Sequence, residues 1–398
     1  MTGLIILLCI VMLAIVIIQI GKVTELTAQI RGEKDAQKES NEWNSKGLLI
    51  FGAVFLIFCV VSASYYRDDM LWYGVNESAS VEGSSIDNLF NITLICTGIV
   101  FFITHILLFW FSYKYRGREG RTVLYMPHDN RLEMIWTAVP AVVLTFLVIA
   151  GLDTWNDVMA DVKEGEDYIE IEANGMQFAW NLRYPGPDGK LGARDYKRIT
   201  ASNPFGQDFT DPKGLDDFYP DEIVLPVGKK VRVRITARDV LHNFYLPHFR
   251  TKMDAIPGIP TYWVFTPKIT TEEYRQMLAK SDEWNEKMDP SDPESKTRAE
   301  MFNYELACAE LCGKGHYSMR RVVRIVSQQE YEDWLKKQQS WYANNVHNKG
   351  GKVVINGKEE SEDPFEGKVT PVDVVKDSTS TAVTVKKDST AIAAPVKK

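Results

Sequence analysis

The stretch Cys308–Met319, CAELCGKGHYSM, decides how the sequence is interpreted, because it concentrates metal-binding side chains in one loop. Two thiols are spaced C-x3-C, an imidazole (His316) follows at the same interval, and the thioether of Met319 comes last. A distant imidazole, His242, follows an alternating apolar stretch in DVLHNFYLPHF. Thiolate, imidazole and thioether ligands together suit copper, with methionine as a weak axial ligand. The residue types therefore favour a copper site.

Other uses of the same side chains stay open at this level. Cys308, Cys312, His316 and His242 could form a structural tetrahedral zinc site. The two cysteines could also act as a redox-active thiol pair, or form a disulfide beside which the histidine and methionine are incidental. Spacing alone does not distinguish these sites from copper.

The N-terminal part of the chain has the composition of a membrane anchor. The protein has 398 residues, a net charge of −7 and five cysteines. Four windows without Asp, Glu, Lys or Arg predict transmembrane helices, which need about 20 apolar residues. The predicted spans are residues 4–20, 47–66, 88–113 and 134–152 of a membrane region covering 1–152. The first window could instead be a cleaved signal peptide, but it lacks a basic start.

The basic residues of the connecting loops predict the orientation. Loops 22–46 and 114–133 are rich in Lys and Arg, whereas loop 67–87 contains only Arg67. Because basic loops stay in the cytoplasm, we expect everything after Asp153 to lie outside, on the periplasmic side of a bacterial inner membrane. Cys9, Cys59 and Cys96 then lie in the spans as small apolar fillers.

Residues 160–343 are the predicted β domain. Short runs within it alternate apolar and polar side chains and are separated by Pro and Gly turns. The run from Phe178 to Tyr184 and the run from Val231 to Thr236 predict strands of an antiparallel sandwich or barrel. Residues 185–220 predict a surface excursion, residues 270–300 a partly helical insertion, and residues 331–342 an amphipathic helix. Residues 344–398 lack periodicity and predict a disordered tail.

Ligands on one loop between strands, with a histidine from an earlier strand end, are typical of a cupredoxin-like Greek-key β-sandwich. The chain resembles subunit II of haem-copper oxidases of the cytochrome c oxidase type over residues 88–330. The resemblance is carried by CAELCGKGHYSM, DVLHNF, KMDAIPG and LEMIWTAVP in the order of that family. It implies a membrane-anchored all-β protein with a binuclear copper A centre. The family usually has two membrane helices, so the first two here are additional.

The resemblance also implies a ligand set. Cys308 and Cys312 would each bridge both coppers. His242 and Met319 would complete one copper, and His316 and the backbone carbonyl of Glu310 the other. The Glu310 carboxylate would face a magnesium shared with subunit I. These ligand assignments follow from the resemblance. The residues themselves indicate only that the soft donors prefer copper.

Further residues have both an ordinary and a functional interpretation. Glu133 can stabilise a helix N-terminus, but the resemblance places it at the mouth of a proton channel. The family carries a tryptophan that receives electrons where this chain has Phe178; Trp180 is retained. Asp239 is either a solvated turn residue or a support for His242. His248 is expected at a surface or interface, and His105 within the third span.

The sequence therefore predicts the copper A subunit of a respiratory terminal oxidase. It would accept electrons outside the membrane from a c-type cytochrome and pass them to haem in subunit I, where oxygen reduction is coupled to proton pumping. Expected partners are subunit I, other oxidase subunits, lipid, and a donor that could belong to a stable complex with a quinol-oxidising enzyme; none is a nucleic acid. A quinol oxidase subunit lacks the complete ligand set, and a nitrous oxide reductase needs no LEMIWTAVP hairpin. A zinc-stabilised, membrane-tethered binding module is the remaining alternative.

Overall fold

The structure is a computed structural model that describes residues 2–67, 77–200, 203–346, 352–355 and 358–361. Contacts divide the chain into two units. One unit holds residues 1–70 and 88–152, and the other holds residues 71–87 and 153–398. The long helices lie mostly in the first unit, and all described β-strands lie in the second.

Among the described residues, four helices are long and apolar enough to cross a membrane, which confirms the predicted number of spans. Their apolar side chains are largely exposed, as expected of surfaces that meet lipid rather than water. The helices are α1 (Thr2–Arg31), α2 (Glu33–Tyr65), α3 (Val81–Lys114) and α4 (Asn130–Val158).

The expectation of a loop over residues 22–46 is wrong. Helices α1 and α2 run through this segment on both sides of Gly32, which has a φ of 88° and separates them. This segment is rich in Glu, Lys, Gln and Ala, all good helix formers. Charge therefore marks where the apolar window ends, but not where the helix ends.

Two sheets form the β domain. One has the order β2-β1-β4-β7 and the other β3-β9-β8-β5-β6. Alternation in β4 is as predicted as far as Ile235, with Val231, Val233 and Ile235 buried and the intervening arginines half-buried. Thr236 is buried as well, so the alternation ends there. The strands are β1 (Tyr168–Met176), β2 (Ala179–Arg183), β3 (Ile223–Pro226), β4 (Lys230–Ala237), β5 (His242–Leu246), β6 (Thr251–Ala255), β7 (Thr261–Phe265), β8 (Tyr304–Cys308) and β9 (Arg320–Val326).

The sheets are mixed rather than purely antiparallel. Strands β1 and β4 pair in parallel, and so do β3 and β9. Both pairs join segments that lie far apart in the sequence, so the chain has room to return in the same direction. With this correction, the domain is the predicted cupredoxin-like sandwich.

The run that begins at Phe178 does not point one way throughout. Trp180, Leu182 and Tyr184 are buried, whereas Phe178 is 37% exposed. Strand β1 ends at Met176 and β2 begins at Ala179, so Phe178 lies in the turn between them. Turn residues do not follow strand alternation, which explains the difference.

The excursion over residues 185–220 is fixed to the sheet by buried charges. The guanidinium of Arg183 is fully buried and contacts the carboxylates of Glu172 and Asp217. Arg194 of the excursion also contacts Glu172. Buried charges without partners are costly, so these contacts hold the excursion in one position.

The insertion over residues 270–300 begins and ends in short helices, α5 (Thr271–Leu278) and α6 (Arg298–Met301). Each starts with a capping box, formed by Thr270 with Glu273 and by Thr297 with Glu300. The predicted helix over residues 331–342 is instead two helices, α7 (Gln328–Leu335) and α8 (Trp341–Asn345). A capping box at Ser327 starts α7 before the expected position.

Residues 77–87, here named the clamp segment, dock on the β domain. The hydroxyl of Ser80 donates to the carbonyl of Phe249 at 2.7 Å. The Glu82 carboxylate accepts from the backbone and hydroxyl of Thr266. Asp87 makes a paired contact with the Arg250 guanidinium at 2.7 and 2.9 Å. The first turn of α3 is therefore tied to the turn between β5 and β6 and to the end of β7.

The predicted disordered tail, residues 344–398, lies largely outside the described residues. Within it, α8 runs to Asn345, and the structure describes an antiparallel pair, β10 (Lys352–Ile355) and β11 (Lys358–Ser361). The expectation of a tail without secondary structure is therefore wrong for these two strands.

Candidate metal centre

Three strand ends bring the predicted ligands together. His242 is the first residue of β5 and Cys308 is the last residue of β8. These strands pair antiparallel with Phe244 opposite Cys308, so His242 lies beside the cysteine despite 66 residues of separation. The loop that carries Cys312 and His316 then returns to β9 at Arg320.

The donor atoms converge on one small volume. The ligand atoms of His242, Cys308 and Cys312 lie within 4.8 Å of one another. The two sulfur atoms are 4.0 Å apart, and Nδ1 of His242 is 3.8 Å from Sγ of Cys308. Nδ1 of His316 lies 3.6 Å from Sγ of Cys312.

Two weaker donors complete the group. Met319 is fully buried, and its Sδ lies 3.9 Å from Sγ of Cys312. The backbone carbonyl oxygen of Glu310 lies 3.2 Å from Sγ of Cys308. The sequence motifs and the family resemblance predicted these residues, and the structure brings all six donors together.

The electrostatics of the thiols fit a bound cation. Burial and, to a lesser extent, the neighbouring Cys308 raise the pKa of the Cys312 thiol to about 11. Two adjacent buried thiolates repel each other unless positive charge lies between them. A metal ion supplies that charge and displaces the protons. The donor set of two sulfurs, two imidazoles, a thioether and a carbonyl suits copper.

Asp239 contacts the His242 ring at Nε2, the nitrogen that faces away from the cysteines. Its Oδ1 lies 2.9 Å from Nε2 of His242, and its Oδ2 accepts the backbone N–H of Gln177 at 2.8 Å. Burial would raise the pKa of the Asp239 carboxyl, but these hydrogen bonds outweigh burial and lower it. Since a carboxylate only accepts, Nε2 carries the proton and Nδ1 is left to bind metal.

Packing holds the same ring in place. The indole of Trp180 is fully buried and meets the His242 ring edge to face, with centroids 6.1 Å apart. Gly175 lies directly against the ring, and a Cβ there would approach Cδ2 of His242 to 2.9 Å. Sequence reasoning missed Gly175, whose importance appears only once the structure shows a glycine inside strand β1 against the His242 ring.

Phe178 lies over the ligand loop. A Cβ at Gly315 would approach Cγ of Phe178 to 2.5 Å, and one at Gly313 would approach Cε1 to 3.0 Å. The ring therefore contacts loop backbone where glycine leaves space, with one face partly exposed. The buried Trp180 lies on the core side of the site instead.

The other predicted residues lie away from this cluster. Glu133 is in the first turn of α4, and its Oε1 is 3.8 Å from Nδ1 of His128. His105 lies in α3, where its Nδ1 is 2.8 Å from the carbonyl of Phe101. His248 is packed among aromatic rings of the β domain rather than standing at an open surface.

Comparison with protein families gives two matches. Residues 69–153 match the model of the cytochrome c oxidase subunit II transmembrane domain, and residues 169–274 match that of the subunit II periplasmic domain. The first match covers only the last two membrane helices, so α1 and the whole of α2 precede it. The second places the β domain in the periplasm.

Relatives extend over most of the chain. An alternative cytochrome c oxidase subunit 2 from Bradyrhizobium diazoefficiens is 31% identical over 290 residues, which cover 72% of this chain and 91% of the relative. Cytochrome c oxidase subunit 2 from Thermostichus vulcanus is 27% identical over 289 residues, covering 66% and 78%.

A crystal structure of the periplasmic domain of cytochrome oxidase subunit II from Bradyrhizobium japonicum covers 44% of this chain and 95% of its own, at 25% identity and a TM-score of 0.27. The two family models and the length and identity of the sequence matches establish the family of the chain. The protein is thus a membrane-anchored subunit of an oxidase complex, and the chain belongs to the cytochrome c oxidase subunit II family.

Proposed function

We propose that this chain holds a binuclear copper A centre and receives electrons from a c-type cytochrome in the periplasm. Cys308 and Cys312 would bridge two coppers, with His242 and Met319 on one, and His316 and the Glu310 carbonyl on the other. When bound, such a centre takes up and releases one electron with little rearrangement of its ligands. The electron would pass to haem in subunit I for oxygen reduction coupled to proton pumping.

The convergence of six donors carries this proposal. A structural zinc site needs four ligands in a tetrahedron, and the two thiols and two imidazoles would suffice. The buried thioether of Met319 and the carbonyl of Glu310, each within 4 Å of a cysteine sulfur, would then have no role. A site with two ions uses every donor.

The test is metal analysis and EPR spectroscopy of the full-length protein in detergent. We expect about two coppers per chain and the multi-line signal of an electron shared by two coppers. Cys308→Ser should abolish that signal, whereas Cys96→Ser, in a membrane helix, should leave it unchanged. More zinc than copper in the native protein would reject the proposal.

The exposed side of the site suggests where electrons enter. Phe178 is partly exposed and contacts the ligand loop at Gly313 and Gly315. Trp180 is buried against His242, so it packs the ligand instead of meeting a donor. We therefore assign the donor contact to Phe178. Phe178→Ala should slow electron uptake from the donor without changing the copper spectrum.

The surface around Phe178 supports a donor that stays bound. Leu311 and Tyr317 are 80% and 79% exposed, and both lie in the ligand loop. Exposed apolar side chains of this kind are typical of protein contacts. We propose that they meet a haem c domain of a stably associated quinol-oxidising complex, or a tethered cytochrome.

A finer assignment, a magnesium ion at Glu310, accompanies the copper centre. The half-buried carboxylate of Glu310 would bind a magnesium shared with subunit I, because its backbone carbonyl already faces the copper site. Carboxylate oxygen is a usual ligand of magnesium. Loss of a tightly bound magnesium in a Glu310→Gln oxidase, measured by metal analysis, would support it; retained magnesium would reject it.

We also propose three functional regions: the membrane anchor over residues 1–152, the copper domain over 160–343 and a tail over 344–398 that is dispensable for copper binding. The tail contributes none of the donor atoms. A chain ending at residue 346, which keeps α8, should bind copper as the full chain does. Loss of copper from this shorter chain would contradict the division.

A further inference from the structure

Gln177 lies at the point where the β1–β2 turn meets the copper loop. Gln177 is exposed and directly precedes Phe178 in the chain. It is not one of the predicted copper ligands. Its contacts nevertheless reach two of the segments that carry ligands.

The backbone of Gln177 reaches the first of these segments. Its N–H donates to Oδ2 of Asp239, and Oδ1 of the same carboxylate lies 2.9 Å from Nε2 of His242. A shift of the turn would move the carboxylate and, through it, the ligand ring. Partners of this kind set ring orientation in metal sites.

The side chain of Gln177 reaches the second segment. Its Nε2 donates to the backbone carbonyl of Cys312, at 2.5 Å. The same nitrogen lies against Gly313, where a Cβ would come within 3.1 Å of it. The side-chain amide therefore fits into a space that a glycine leaves open.

The copper loop has few other ties to a sheet. The last β8–β9 ladder pair is Ala307 with Arg320, so the residues between them lie beyond the ladder. The loop's described backbone hydrogen bonds after Cys312 are local turns, such as His316 to Gly313 and Met319 to His316. The Gln177 amide, in contrast, comes from the other sheet.

We infer that Gln177 is a positioning residue for the copper centre: its amide fixes the Cys312 carbonyl while its backbone fixes Asp239 and hence His242. This inference rests on the proposed function, since it concerns ligands of the same centre. Both ligand segments are held by the turn that presents Phe178. The turn thus couples the geometry of the metal site to the surface at which electrons arrive.

The chemistry of the contact predicts different effects for different replacements. Leucine has a similar size but donates no hydrogen bond. Glutamate keeps the shape but opposes a carboxylate to a carbonyl oxygen, which is repulsive. Asparagine keeps the amide but is one methylene too short to reach Cys312. All three retain every copper ligand, so they alter geometry rather than ligand number.

The test uses the full-length protein in detergent, loaded with copper, with the variants Gln177→Leu, Gln177→Glu and Gln177→Asn. Gln329→Leu is the matched control, because Gln329 is an exposed glutamine on α7 that bonds only within its helix. The readouts are the EPR hyperfine pattern, the visible spectrum, and the rate of copper release to a chelator. Circular dichroism of the metal-free proteins checks that each folds.

We expect two coppers per chain in every variant, with an altered hyperfine pattern and copper release about 2- to 12-fold faster, as expected for loss of one hydrogen bond. The Glu variant should release copper fastest, and Gln329→Leu should match the parent. If Gln177→Leu and Gln177→Asn both keep the parent spectrum and release rate, the inference is overturned, even if the Glu variant differs. A parent protein without the binuclear signal would instead overturn the proposed function.

Discussion

His248 shows how burial determines the protonation of a single side chain. Its ring lies against those of Tyr274, Phe302 and Tyr304, with centroids 5.2 to 5.6 Å away. Burial, together with the nearby Arg250, lowers the pKa of His248 to about 4. The ring is therefore neutral at physiological pH and packs as an aromatic side chain.

This pKa predicts a pH-dependent contribution to stability. Because the folded-state pKa is below that of the unfolded chain, near 6.5, the unfolded state binds the proton more readily. The contribution is fully present above about pH 6.5 and is lost as pH falls toward 4, by up to about 3 kcal/mol. Thermal melts of the full chain by near-UV circular dichroism should show this loss, and His248→Phe should reduce it. Equal pH dependence in His248→Phe and the parent would contradict the prediction, whereas exposed His128→Gln should behave as the parent.

Met319 is the ligand whose replacement should tune the site rather than destroy it. Leucine has a similar volume, so Met319→Leu should cost less than about 1.5 kcal/mol of folding stability. Loss of a weak axial donor destabilises the oxidised centre more than the reduced one, so the reduction potential should rise. Redox titration followed by EPR measures this, with copper content as the control. Loss of copper from Met319→Leu would show that the thioether is needed for binding.

Glu133 can be tested for a role beyond helix capping. Its position in the first turn of α4 already favours a carboxylate through the helix dipole. If it also admits protons, Glu133→Gln should lower oxidase turnover while the copper signal stays unchanged. Turnover equal to the parent over a wide pH range would leave the dipole as its only role.

The ligand loop requires glycine at Gly313. Its φ of 134° is a conformation that other residues rarely adopt, and a Cβ would come within 3.0 Å of the Phe178 ring. Gly313→Ala should therefore strain the loop and displace Phe178, which weakens copper binding and slows electron uptake. Chelator competition and donor kinetics measure the two effects.

Gly228 provides the matched control for this substitution. It has a φ of 77° in the turn between β3 and β4, but a Cβ there would meet nothing within 4 Å. Gly228→Ala should lower stability by about 1 to 2 kcal/mol from backbone strain alone and leave copper binding unchanged. If both alanine variants bind copper as the parent does, contact with Phe178 has no bearing on the site.

For these elements, the sequence predicted the structure correctly where the residues involved are close together in the chain. Residue types and spacing from Cys308 to Met319 predicted four donors because these four lie on one loop, whereas the Glu310 carbonyl was implied only by the family resemblance. Alternation predicted β4 from its own side chains. It failed where distant segments decide the result. The parallel partner of β1 lies beyond the whole excursion, and Gly175 gains its meaning only from His242, which packs on it. Phe178 is turned outward by a hairpin turn that alternation does not reveal.

At the scale of the whole molecule, the nature of the donor contact can be measured. A cytochrome that diffuses to the site is usually steered by charge, so its turnover falls steeply with salt. A partner held by apolar contacts such as Leu311 and Tyr317 needs no such steering. Turnover of the purified assembly with quinol should therefore change little across ionic strength.

Two further observations complete that experiment. Deleting residues 1–66, which removes α1 and α2, should loosen the assembly without disturbing the copper spectrum, because extra membrane helices usually serve to pack against partner helices. A strict need for added soluble cytochrome c, or a steep loss of turnover with salt, would favour a diffusing donor.

The clamp segment has a consequence for the order in which the molecule is made. Ser80 is synthesised early, whereas Phe249, whose carbonyl accepts the hydrogen bond from the Ser80 hydroxyl, is synthesised 169 residues later. At the usual pace of about 5 to 20 residues per second, the outer end of α3 waits roughly ten to thirty seconds for its docking site. During that time α4 must be inserted and the chain beyond it exported past strand β5. Segments that are synthesised late, the β5–β6 turn and the residue after β7, therefore fix the outer end of a helix that was inserted long before them.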